Sequence, residues 1–96
     1  MSYALTVTER AARDIAAARS DYAEYGKAAQ FMACVDHVFE RLSERPLMYP
    51  VIYDTVHRAL LRRFPFAVFF VVEHASVVVL AVSPQRGDPA ARPKSR

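Results

Sequence analysis

All six prolines of this 96-residue chain lie at or after Pro46. Proline removes a backbone donor and clashes within a helix, so long helices belong in the first 45 residues and short elements in the remainder. The hydrophobic periodicity changes at the same place. Tyr3, Leu5 and Val7 alternate, as in a short opening strand. Thr8 then offers an N-cap hydroxyl, with Glu9 in the first turn where an acid suits the helix dipole. Ala11, Ile15, Ala18 and Tyr22 recur at helical spacing, and Gly26 stands where a C′ glycine would stop that helix. A second stripe runs through Ala28, Phe31, Val35, Val38 and Leu42, until Pro46 ends it.

After Pro46 the chain reads as β. Tyr49 to Tyr53 is expected to be an extended connector, because a residue preceding proline avoids the helical region. Val56–Arg62, Pro65–Glu73 and Ser76–Ser83 are rich in Val, Phe and Leu and read as three strands. His74-Ala75 is a tight link, so the last two strands should form an antiparallel hairpin. Phe66 to Val72 is apolar on both faces and should be central. The predicted order is β-α-α-β-β-β, an α+β domain with a helical hairpin packed on a small, mainly antiparallel sheet. Residues 1–89 are assigned to that single domain and 90–96 to a polar C-terminal tail.

At 53% hydrophobic and 24% charged residues, the composition is too apolar for an intrinsically disordered chain. Its longest apolar run, Phe66–Val72, is too short to cross a bilayer, and Met1–Arg10 lacks the layout of a signal peptide. A cytoplasmic location is therefore expected, with no membrane partner. Cys34 is the single cysteine, which rules out an internal disulfide and a cysteine-based zinc cluster, and no metal site or cofactor is predicted. Two glycines are too few for a phosphate-cradling loop. The charge is uneven: residues 1–45 balance at −1 and residues 46–96 at +4, the latter almost entirely arginine. Guanidinium groups grip phosphate or carboxylate bidentately, which suggests an anionic partner.

On strand parity, Arg58 and Arg62 share one face, and His57 and Arg63 the other. Arg86 follows the last strand, which in an antiparallel sheet can end near Arg62–Pro65. Arg58, Arg62, Arg63 and Arg86 are thus candidates for an anion or target site; the other reading is solvated charge that discourages strand aggregation. His57 is the histidine placed on the sheet and is the candidate proton carrier. His37 reads as a solvated helix residue and His74 as a turn residue, while Cys34 reads as a small core residue.

The segment His57-Arg58-Ala59-Leu60-Leu61-Arg62-Arg63-Phe64-Pro65-Phe66, followed by Ala67-Val68-Phe69-Phe70-Val71-Val72-Glu73, resembles the core strands of the ParE/RelE toxin superfamily. Those proteins show an Arg-rich strand, then Phe-Pro-aromatic, then an apolar strand rich in aromatics. Ala28…Phe31…Val35…Leu42…Pro46…Tyr49-Pro50 is similar to the family's second helix and connector, and Ala81–Pro89 to its closing strand. The likeness covers most of residues 3–89. Two departures stand out: Ser83-Pro84 replace a stretch that usually holds histidine, and the tail has no tryptophan.

The resemblance implies the toxin half of a type II toxin–antitoxin pair. RelE-like members cleave mRNA on the ribosome and need a base, an acid and cations for the phosphate. Here no Tyr follows Tyr53 and no His follows His74, leaving Arg62, Arg86 and His57 as the possible catalytic set. A guanidinium with a pKa above about 12 is a poor proton shuttle. The resemblance is therefore taken towards ParE-like members, which inhibit DNA gyrase without cutting RNA. The alternatives are a RelE-like endoribonuclease acting on the ribosome and mRNA, or an inactive relic that only binds its antitoxin. The implied partner is a cognate antitoxin with an acidic, partly disordered tail, expected at Arg58, Arg63, Tyr22 and Phe31. Sequence-specific DNA binding would belong to that antitoxin rather than to this chain.

Overall fold

The computed structural model describes residues 2–85. A short strand β1 (Ala4–Val7) leads into helices α1 (Glu9–Ala23) and α2 (Ala28–Glu44). A single 3-10 turn, Pro46–Met48, then enters β2 (Val51–Tyr53), β3 (Val56–Leu60), β4 (Phe66–Glu73) and β5 (Ser76–Pro84). The sheet runs β1-β5-β4-β3-β2, with β1 parallel to β5 and every other pairing antiparallel. The α+β class and the helical hairpin are as expected. The difference is one strand: Val51–Tyr53 is an edge strand paired with β3, not a connector.

Local chemistry sets the helix ends. Thr8 Oγ1 accepts from the Ala11 amide at 3.2 Å and donates to the Val79 carbonyl at 2.9 Å, so one hydroxyl caps α1 and ties it to β5. Gly26 adopts φ +70. Its amide donates to Ala23 and that of Lys27 to Tyr22, the paired bonds of a Schellman ending.

The core lies between the helical hairpin and one face of the sheet. Ala11, Ala18, Phe31, Val35, Val38 and Leu42 meet Ala59, Val68, Phe70, Val77, Val79 and Val82 there. Among the described residues the other face buries Ala67, Phe69 and Ala81, with Val56 against them. A bulge lets β5 serve both. Phe69 pairs with Ala81 but Phe70 with Val79, so Leu80 is the extra residue and Val79 and Val82 can both face the helices. There the Val82 amide donates to Asp14 Oδ2 at 2.9 Å, a second tie from β5 to α1.

β3 stops at Leu60, two residues short of the expected end. The parity argument for Arg62 and Arg63 therefore fails, because both lie in the following loop.

Candidate functional site

The loop between β3 and β4 is pinned at both ends. Leu61 and Phe64 are buried, and the Leu61 amide donates to the Phe66 carbonyl at 2.9 Å. Phe64 meets Tyr22 edge-on at 4.7 Å and Phe31 at 5.4 Å between ring centroids. With the anchors facing inwards, the two residues between them, Arg62 and Arg63, are turned out to solvent.

The aromatic anchorage also decides what the arginines face. Gln30, Ala33, Cys34, His37 and Val38 occupy one side of α2, at the three- and four-residue spacings that share a helix face. Together with Arg62 and Arg63 they line a groove of about 400 Å³. Its helix wall supplies the apolar Ala33 and Val38, the half-buried Cys34, and the polar ends of Gln30 and His37. Among the described residues the ion pairs, Arg10–Asp14 and Arg13–Glu9, are both on α1. Neither Arg62 nor Arg63 has a carboxylate partner there. Such a groove suits an acidic group attached to an apolar body.

The other predicted site residues are dispersed. Arg58 lies opposite Phe69 on the face turned away from the helical hairpin, half-buried. His57 is buried, not displayed: its ring stacks on Phe70 at 5.1 Å, and Nδ1 lies 2.8 Å from the Tyr49 carbonyl oxygen. That carbonyl can only accept, so Nδ1 carries the proton. His57 is thus a packed interior residue, which corrects its reading as the proton carrier beside Arg62. Phe31 is 0% exposed and Tyr22 stacks on it at 5.3 Å, so Phe31 is core and not a partner contact. Arg86 lies outside the described residues. Gln85 donates its amide to the Pro65 carbonyl at 2.8 Å, so the chain leaves β5 beside the arginine loop.

Three groove residues were not expected there: His37, read as a solvated helix residue, Cys34, read as a small core residue, and Gln30. Their signal was spacing: they follow one another at helical intervals beside the buried stripe, with Ala33 among them. At the opposite end of α2, Arg41 donates from Nε to the Tyr49 hydroxyl at 3.0 Å, and this bond holds its pKa further above the ordinary guanidinium value. Among the described residues no three His, Cys, Asp or Glu side chains cluster as metal ligands, and no helix is long and apolar enough to cross a membrane.

The chain is similar in fold to two solved toxin–antitoxin structures. A chain of the chromosomal ParDE system of P. aeruginosa superposes with a TM-score of 0.78 at 21% identity, covering 88% of this chain and 98% of that one. A chain of the RelBE2 toxin–antitoxin complex of Mycobacterium tuberculosis gives a TM-score of 0.63 at 22% identity, covering 88% and 99%. No curated protein matches. The sequence model for the ParE toxin of the type II toxin–antitoxin system parDE matches residues 5–89, nearly the whole chain. The chain therefore belongs to the ParE family of type II toxin–antitoxin toxins.

Proposed function

We propose that this ParE-family toxin acts in the cytoplasm as a non-catalytic inhibitor of DNA gyrase. We further infer that a cognate antitoxin neutralises it by folding an acidic, partly disordered segment into the α2 groove. The observation that carries the reading is the groove itself, with Arg62 and Arg63 free of carboxylates among the described residues and Ala33 and Val38 beside them. Apolar anchors of the segment would enter against α2 while its acids meet the two guanidinium groups. A guanidinium grips an anion bidentately but is a poor proton shuttle, which favours binding over catalysis.

A second reading rests on His37. It is the imidazole that lines the groove with Arg62 and Arg63. A RelE-like ribonuclease built on this chain would use His37 as its proton carrier and the arginines at the phosphate, with His57 left in the core.

Purified toxin should be tested in parallel on gyrase supercoiling and on cell-free translation. Inhibited supercoiling with continuing translation is the expected result. Codon-phased mRNA cleavage that disappears in His37→Ala would overturn it in favour of the ribonuclease. Inactivity in both assays, with antitoxin binding intact, would identify a relic. Antitoxin contact has its own readout in Cys34, the single cysteine, which is half-buried in the groove. Bound antitoxin should slow its alkylation at least tenfold; an unchanged rate places the antitoxin elsewhere.

A further inference from the structure

The edge of the sheet at β2 differs from the rest of the surface. Leu47, Met48, Val51 and Ile52 are 64, 55, 52 and 40% exposed, within six consecutive residues. Tyr53 continues the exposed stretch and Leu60 lies on the neighbouring strand β3, whereas Val7 and Tyr25 stand far from this segment in sequence. A contiguous apolar strip rimmed by charge marks an interaction surface. Proteins commonly blunt such edges with charge, proline, bulges or short strands. Here Pro50, a register shift between Val51 and Tyr53 and the three-residue length of β2 limit the edge, but no charge interrupts it from Pro46 to Tyr53.

The backbone is open as well. The Arg58 amide donates to the Pro50 carbonyl at 3.0 Å, which makes Pro50 and Arg58 a hydrogen-bonded pair. The next pair, Val51 with His57, is then of the non-bonded kind. The N–H and C=O of Val51 therefore point away from β3, on the side where the described residues supply no further strand.

Size and charge select the occupant. A second copy pairing through β2 would align three residues with three, about 10 Å of strand. Three paired residues a side make a small contact, whereas stable interfaces bury roughly 1,200 Å² or more. A longer foreign segment can pair at Val51 and continue over Met48 and Leu47. The rim it meets is cationic on balance, with three arginines against the two carboxylates of Glu44, which acts on Arg41, and Asp54, which follows β2. Arg41 reaches to 3.9 Å from Met48 Sδ, Arg45 immediately precedes the 3-10 turn, and Arg58 is bonded to Pro50 through its amide. Arg45 and Arg58 have no carboxylate partner among the described residues.

We propose that the β2 edge, with Leu47 and Met48, receives an extended segment of a protein partner by strand addition, apolar at alternate positions and flanked by Asp or Glu. The surface lies at the C-terminal end of α2, whereas the arginine groove uses Gln30 to Val38. It therefore stands whether or not the groove binds an antitoxin.

The test uses the whole chain and a fluorescent nine-residue probe, Glu-Glu-Val-Thr-Val-Thr-Val-Glu-Glu, read by anisotropy. Saturable binding is expected, weakened at least tenfold by Val51→Pro and by Leu47→Glu, and unchanged by Arg62→Ala. A probe with Lys in place of each Glu should bind at least tenfold more weakly. Val51→Pro removes an outward N–H and no ladder bond. Leu47→Glu alters an exposed side chain and keeps the test alive if the proline variant fails to fold. Equal binding by these variants, equal binding of the Lys probe, or no saturation at about 1 mM, the weak limit of specific recognition, overturns the proposal. So does concentration-dependent dimerisation that Val51→Pro abolishes, which would give the edge to a second copy.

Discussion

His57 and Arg58 are consecutive on β3 and face opposite sides of the sheet. On the helix side, His57 is closed in by the Phe70 ring and the Tyr49 carbonyl, inside a cluster drawn from both helices and the sheet. On the other side, Arg58 sits across from Phe69 in a layer where, among the described residues, three are buried and no helix lies over them. The difference separates roles: histidine became part of the packing where the layer is deep, and arginine kept contact with solvent where it is thin.

The largest test of that difference uses adjacent residues of β4. Phe70→Ala should cost about 5 kcal/mol and Phe69→Ala about 3, the two ends of the range for buried phenylalanine. Denaturant unfolding measures both, and equal losses would mean that the two faces are packed alike. Next come His57→Ala, which should cost about 2 kcal/mol through the lost stacking and the orphaned carbonyl, and Arg58→Ala, which should stay within about 0.5. A costly Arg58→Ala would break the comparison. Asp14→Ala should remove about 1–3 kcal/mol by leaving the Val82 amide unpaired, with Asn restoring most of it. Gly26→Ala should cost about 1 kcal/mol through its positive φ alone, since a Cβ there meets nothing within 4 Å. Smallest are Arg62→Ala and Arg63→Ala, within about 0.5 kcal/mol on stability, although both should restore Cys34 alkylation in the presence of antitoxin.

What could be read in advance was what neighbouring residues decide. Thr8, Gly26 and Pro46 mark helix ends through their own chemistry, and each stands at the boundary expected of it. β2 escaped because three apolar residues after a proline carry no alternation to detect, and pairing with β3 alone makes them a strand. Arg62 was misplaced because β3 ends where Leu61 and Phe64 turn inwards to the core. That is a tertiary event that parity counting cannot see. Phe31 lay on a stripe that periodicity identified as buried; assigning it to a partner ran against that evidence. The groove was invisible for a different reason. It exists because the Phe64 anchor brings a loop against a helix about 30 residues earlier in the chain.

The parallel pairing of β1 with β5 has a bearing on synthesis. Among the described residues the first strand finds its one sheet neighbour in β5, and Thr8 reaches Val79 across 71 positions. Contacts so distant form late and slow the search for the folded state. A growing chain that has exposed its helices but not β5 lacks the strand that fastens α1 and seats β1. A product truncated before Ser76 would therefore leave β1 without its sheet neighbour, so the cell should meet this toxin as a folded molecule only once its last strand has been made.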